Sequence, residues 1–242
     1  MKPLALIHAF PLDASMWDEQ VAALAGDTRV LAPSLPGFGG VPSAGDVLTM
    51  ERMADHVVAE LDRQEVERAV IGGLSMGGYA ALELWRRHRD RVAALILADT
   101  RAEPDDDAGR EKRRALAEKV RAEGSGAVAD APPPLLAEGA EPDLWEAVKA
   151  TIRRQPAEAI AAAALGMAER PDSGPTLATI DVPTLVIVGS EDTLTPPPLS
   201  ERLAREIPGA QLVTLEGAGH LSNLEDPDGF TKAVRGFLER VG

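Results

Sequence analysis

Val70-Ile71-Gly72-Gly73-Leu74-Ser75-Met76-Gly77-Gly78-Tyr79-Ala80-Ala81 decides how the rest of the chain is read. The segment enters from an apolar run with β character, Ala69-Val70-Ile71, and leaves as a helix former, Tyr79 to Trp85. Between them Gly73-Leu74-Ser75-Met76-Gly77 has the spacing G-x-S-x-G, a sharp turn that lifts one serine from a strand end onto a helix start. Glycine suits positions 73 and 77 because a Cβ there would meet neighbouring backbone while Ser75 holds a strained conformation. The helix that follows aims its N–H groups and positive dipole end at the serine, where an oxyanion would be held. A strand–helix turn with an idle serine has the same local pattern, so the serine's partners must be sought elsewhere in the chain.

Toward the N-terminus, Leu4-Ala5-Leu6-Ile7 is a continuous apolar run, as expected of a strand buried on both faces of a parallel sheet. It ends in the loop His8-Ala9-Phe10-Pro11. A helix over 16–24, a short strand over 29–32 and a Pro/Gly-rich loop over 33–40 follow. Thr49 is placed to cap a helix running to Arg63, with Met53, Val57, Val58 and Leu61 at helical spacing. Beyond the central unit, Val92–Ala98 reads as the next buried strand and ends at Asp99. Strand texture returns at Thr184–Gly189 and Gln211–Leu215, with a helix over 199–206 between them and a last helix over 227–240. Strands alternating with helices predict an α/β fold with a doubly wound, mainly parallel sheet of about six strands. Between 101 and 175 the texture is Ala, Arg, Glu and Pro, with helical stretches over 109–123, 144–153 and 157–169. Leu116, Val120, Leu144, Trp145, Val148 and Ile152 give these helices apolar faces. The expected organisation is a core of residues 1–100 and 176–242 carrying a helical lid insertion over 101–175.

The 242 residues are 45% apolar and 26% charged, enough for a core that needs no staples. There is no cysteine, which excludes disulfides, thiolate catalysis and Cys-based metal sites. The formal charge of −14 argues against nucleic acid and anionic membrane surfaces as partners. The first apolar run is too short to span a membrane and has no small-residue cleavage site, so a soluble, cytoplasmic protein is expected. No lysine follows a glycine as a phosphate loop requires, Gly37-Phe38-Gly39-Gly40 lacks the third dinucleotide-fold glycine, and no HExxH or carboxylate–histidine cluster suggests a metal. No cofactor is expected. A homodimer is compatible with the sequence.

A serine at its free pKa needs a base, and the base needs an orienting carboxylate. His220 lies just past the last strand in Glu216-Gly217-Ala218-Gly219-His220, and Asp192 just past the preceding strand in Gly189-Ser190-Glu191-Asp192. Both therefore fall on the rim where open α/β sheets build their sites, in the chain order Ser…Asp…His. The N–H of Met76 and that of Phe10 are the expected oxyanion donors; Pro11 has none to give. His8 is expected to hold the oxyanion loop by hydrogen bonds, while His56 and His88 fall on helices. Phe10 and Trp145 are the expected substrate contacts, and Trp17 a packing residue. Arg110, Lys112, Arg113 and Arg114 read as a solvated helix face, and whether Arg101 or another lid arginine points inward is left open.

His8-Ala9-Phe10-Pro11…Ser15-Met16-Trp17, Leu35-Pro36-Gly37-Phe38-Gly39, Gly73-Leu74-Ser75-Met76-Gly77-Gly78, Gly189-Ser190-Glu191-Asp192…Pro196 and Gly219-His220 together resemble the α/β-hydrolase superfamily. The resemblance spans nearly the whole chain outside the insertion and is nearest to small carboxylesterases and 3-oxoadipate enol-lactonases. It implies a serine hydrolase of small esters or lactones with Ser75 as nucleophile, Asp192 as acid, His220 as base and no cofactor. Asp99 occupies the acid position of a minority of relatives; the Asp192–Pro196 context favours Asp192. Two features depart from the pattern. No residues precede the His8 strand to form the antiparallel pair many relatives have, so six parallel strands are expected. Ala9 replaces a glycine, which puts a Cβ beside the oxyanion loop and would narrow or reorient it. Pro11 after Phe10 also resembles cofactor-free perhydrolases, and some triad-bearing relatives are hormone receptors, so peracid formation and ligand sensing are alternatives.

Overall fold

A computed structural model describes residues 1–242. Six parallel strands form one sheet: β1 (Leu4–Ile7), β2 (Val30–Leu31), β3 (Ala69–Leu74), β4 (Val92–Ala98), β5 (Thr184–Gly189) and β6 (Gln211–Leu215). The order is β2-β1-β3-β4-β5-β6, so the chain runs outward from β1 to β2, then crosses back to the other side of β1. That reversal, at β1/β3, opens a crevice at the carboxyl ends of the two strands. β1, β3, β4 and β5 are buried along their whole length. This is what continuous apolar runs dictate in a sheet covered on both faces. β6, an edge strand, is exposed over most of its length, Leu212 included, and buries only Leu215.

Helices α1 (Asp18–Leu24), α2 (Met50–Arg63), α3 (Met76–His88), α9 (Pro197–Glu206) and α11 (Pro227–Val241) cover the sheet. Thr49 caps α2 by accepting the Arg52 N–H, and Met53, Ala54, Val57 and Leu61 form its buried face. The N-terminal stretch read as one helix over 16–24 is divided. Asp13 accepts the Ser15 N–H and closes a 3-10 turn over Ala14–Trp17 before α1 begins. Trp17 packs on Phe230 of α11, with ring centroids 5.7 Å apart. Between β4 and β5 the chain forms α4 (Asp107–Glu123), α5 (Gly126–Ala129), α6 (Pro142–Arg154), α7 (Ala157–Ala168) and α8 (Gly174–Leu177). α7 is buried almost all round and lies between α4 and the core. It approaches so closely that a Cβ at Gly166 would strike the Leu48 carbonyl. A last short helix, α10 (Ser222–Glu225), follows the loop that carries His220. No helix is long and apolar enough to cross a membrane.

Candidate active site

Ser75 sits between β3 and α3 with φ +56° and ψ −113°. For a residue with a Cβ this is a strained conformation, and its surroundings impose it. A Cβ on Gly73 would strike the Gly77 carbonyl, and one on Gly77 the carbonyl of Ile7 at the end of β1. A Cβ on Gly78 would strike Thr100, whose hydroxyl donates to the Ser75 carbonyl at 2.8 Å. The glycines therefore let the turn close against β1 and against the exit of β4.

Ser75 Oγ is 2.8 Å from His220 Nε2, and His220 Nδ1 is 2.8 Å from Asp192 Oδ2. Asp192 and His220 are both buried. Thr195 donates its hydroxyl to Asp192 Oδ2 at 2.6 Å, while Asp192 Oδ1 accepts the N–H groups of Leu194 and Thr195 at 2.8 and 2.9 Å. Burial alone would push the Asp192 carboxyl up. The hydrogen bonds and charge interaction with His220, with those from Thr195, outweigh it and hold the group below its ordinary value. An ionised Asp192 then fixes the proton of His220 on Nδ1 and leaves Nε2 free to accept from the serine.

Asp99, the competing acid, is placed elsewhere. It sits at the end of β4 with φ +43°, fully buried, accepting the Gly189 N–H at 2.8 Å and bonding Ser222 Oγ. Burial and the neighbouring Asp192 charge raise its pKa well above the usual carboxylate range. It braces β5 and the start of α10 and has no bond to His220.

The Phe10 N–H has no acceptor in the structure, and Met76, at the first position of α3, has none within its helix. The backbone behind Phe10 is fixed by His8, whose Nε2 accepts the Leu35 N–H at 3.0 Å while Nδ1 lies 2.9 Å from the Ala9 carbonyl. Complete burial lowers the His8 pKa to about 4, so the ring is neutral with its proton on Nδ1. Ser75, His220, Thr195 and Phe10 border a cavity of about 300 Å³, closed by residues between β4 and β5 that include Leu116, Leu135 and Met167. A serine relayed through a histidine to a carboxylate, beside free N–H donors in a partly apolar cavity, has the parts needed for acyl transfer.

The model of the alpha/beta hydrolase family matches residues 4–233. The chain belongs to the alpha/beta hydrolase family. This hydrolase is 31% identical over 250 residues to the pimeloyl-[acyl-carrier protein] methyl ester esterase of Neisseria meningitidis serogroup C, covering 100% of this chain and 95% of that one. A thermophilic esterase from Thermogutta terrifontis, solved with malate bound, superposes with a TM-score of 0.97 at 44% identity, covering 100% of this chain and 90% of that one. The enol-lactonase from Burkholderia xenovorans LB400 superposes with a TM-score of 0.90 at 33% identity over 98% and 91% of the two chains. These are hydrolases acting on ester bonds, and the hydrolase described here is an enzyme of that kind.

Two expectations about the hydrolase's site need correction. Trp145, expected to touch substrate, is half-buried and packed on the core away from the cavity; α6 turns its apolar face, Val148 and Ile152, inward, and that face does not reach the serine. The cations of α4 are not all solvated. Arg113, half-buried, borders the cavity with Arg101, while Lys112 borders it and stays exposed, because α4 packs on α7 over the site. The Ala9 methyl is buried in the core and does not border the cavity. Thr195 and Glu225 were not singled out from the sequence. Thr195 is legible as the third residue after Asp192, a spacing at which a side chain can return to a turn carboxylate. Glu225 accepts the Gly219 and Ala137 N–H groups, both at 2.8 Å, and so ties the His220 loop to the segment over the cavity.

Proposed function

We propose that this enzyme cleaves small carboxylic esters or lactones through an acyl-enzyme. Ser75 is the nucleophile, His220 the base and Asp192 the group that holds the His220 tautomer. His220 Nε2 takes the serine proton as Oγ attacks the carbonyl, then returns it to the leaving alkoxide. Water attacks the acyl-enzyme with the same histidine as base. The Phe10 and Met76 N–H groups hold the oxyanion; losing one such donor typically costs about 3 kcal/mol of transition-state stabilisation. Residues 101–175 act as a lid on the core formed by 1–100 and 176–242, and with Phe10 they enclose the substrate. The observation that carries this reading is the unbroken Ser75–His220–Asp192 hydrogen-bond relay opening on the cavity. Lactones suit the same machinery because ring opening leaves the acyl group on Ser75 with its alcohol still attached. The resemblance to enol-lactonases at about a third identity supports including them.

The test is mass spectrometry after fluorophosphonate treatment, beside turnover of p-nitrophenyl acetate and butyrate. One adduct on Ser75, absent from Ser75→Ala, with steady turnover is the expected result. A folded protein with neither adduct nor turnover would overturn the reading and favour a ligand sensor.

A further inference from the structure

The wall that the β4–β5 segment gives the cavity is strongly cationic. Arg101, just past the end of β4, borders it together with Lys112 and Arg113 of α4, and Asp105 is the one carboxylate among the bordering residues. Asp105 is buried and already engaged. Arg170 clamps it from behind with two nitrogens, at 2.9 and 3.0 Å, and lays its guanidinium 4.3 Å from the Tyr79 ring centroid. Arg101 adds one bond through Nη2 and Arg113 one through Nε. Burial pushes the Asp105 carboxyl up, but the arginines outweigh it and hold it down to about 2, so it stays ionised at any working pH.

The charges do not cancel. Three arginines, Arg101, Arg113 and Arg170, hold one carboxylate, and the exposed Lys112 stands on the same cavity wall. The other nitrogens of Arg101 and Arg113 have no protein acceptor, Arg101 Nε is buried without one, and Lys112 makes no ion pair. Two of its neighbours on α4 do: Arg110 with Asp107 and Arg114 with Glu111. In a chain of formal charge −14, an unneutralised cationic wall in the same cavity as the catalytic serine calls for an anion from outside. Guanidinium forks with free N–H groups are suited to carboxylate.

Resting on the serine-hydrolase reading, we propose that Arg101, Lys112 and Arg113 form a carboxylate subsite, and that the substrates are small esters or lactones bearing a carboxylate of their own. The volume of about 300 Å³ suits such a molecule, with the scissile carbonyl at Ser75 and the anionic end on the cationic wall. Arg170 and Asp105 position the two arginines.

The experiment compares mono-p-nitrophenyl glutarate with p-nitrophenyl valerate, a neutral ester of matched length. Calorimetric binding of glutarate and valerate serves as an arm that needs no turnover. The expected kcat/KM ratio favours the glutarate ester by about tenfold or more, and glutarate binds more tightly than valerate by a similar factor. Both ratios should fall at least fivefold in Arg101→Met and in Lys112→Met and be kept in Lys112→Arg. They should also shrink as salt is raised. Because each ratio is taken within one variant, a general loss of activity cancels. Wild-type ratios near one, or ratios that the two methionine variants leave unchanged, would overturn the subsite while valerate-ester turnover upholds the serine hydrolase. Absence of turnover and of a fluorophosphonate adduct would sink the hydrolase reading instead, with the calorimetry still deciding on the anion.

Discussion

At Asp99 the carboxyl accepts the Gly189 N–H and the Ser222 hydroxyl, and burial beside Asp192 raises its pKa well above the usual carboxylate range. Asparagine keeps the shape of that group and one oxygen acceptor, carries no charge to bury beside Asp192, and tolerates a positive φ. Asp99→Asn should therefore keep kcat/KM of p-nitrophenyl butyrate within about threefold of wild type. Asp192→Asn should lower kcat by about 10⁴, because an amide there would turn the His220 proton to the wrong nitrogen. The sequence carried the difference between these aspartates only through the turn after Asp192, whose N–H groups and Thr195 hydroxyl are spent on that carboxyl. Ser75 and His220 were legible for the same kind of reason: each stands at a strand end among glycines whose spacing has few uses other than a tight, functional turn. Arg113 was not legible. On an amphipathic helix rich in Arg and Glu, nothing in the spacing tells which cation faces water and which faces a cavity built by another segment. Trp145 failed in the opposite direction, since an aromatic residue on a helix over the site serves equally well as packing.

Among the elements, the β3–Ser75–α3 unit depends on backbone closeness, which makes Gly77 its most sensitive point. Gly77→Ala would press a methyl into the Ile7 carbonyl and push α3 away from β1. The expected outcome is a loss of several kcal/mol in urea unfolding, with Ser75 no longer labelled by fluorophosphonate in whatever remains folded. The stretch Leu135–Ala137 is buried and joined to the His220 loop by the Leu221 N–H on the Leu135 carbonyl and by Glu225. Glu225→Ala would free the Gly219 and Ala137 N–H groups at once. It should cost about 2 kcal/mol in urea unfolding and raise KM more than it lowers kcat, since the cavity wall loosens while the relay remains. This strap was invisible in the sequence because Pro132-Pro133-Pro134 announces only a break. The four-residue helices α5, α8 and α10 were missed because one turn shows no periodicity. The long elements were read to within a few residues, because buried parallel strands and capped amphipathic helices each write their own pattern.

On the scale of the whole molecule, acid stability is set partly by His8. Free imidazole binds a proton below about pH 6.5, whereas folded His8 binds one only near pH 4. Above pH 6.5 the ring is neutral in both states and the fold loses nothing. As pH falls from 6.5 to 4 the unfolded chain gains a proton that the fold refuses, and stability drops by up to about 3 kcal/mol. Urea midpoints at pH 7 and pH 4.5 should show that loss in wild type and a smaller one in His8→Gln, measured from that variant's own value at pH 7. Asp105 adds a second window with its pKa depressed from 3.8 to about 2: its contribution is complete above pH 4 and is lost as pH falls toward 2.

β4 and β5 are paired neighbours in the sheet, Ala98 opposite Ile187, although five helices intervene between them in sequence. The chain thus leaves the sheet and re-enters it at adjacent points, and the pairing is indifferent to what the excursion contains. Lengthening such an excursion twofold adds only about 0.6 kcal/mol of closure entropy. The segment between β4 and β5 can therefore change in length and sequence while Ser75, Asp192 and His220 stay where the sheet holds them. Such a replacement has several anchoring conditions, among them a small residue such as Gly166 where the new segment crosses Leu48, carbonyls to receive the Leu48 and Leu221 N–H groups, and apolar side chains to complete the core.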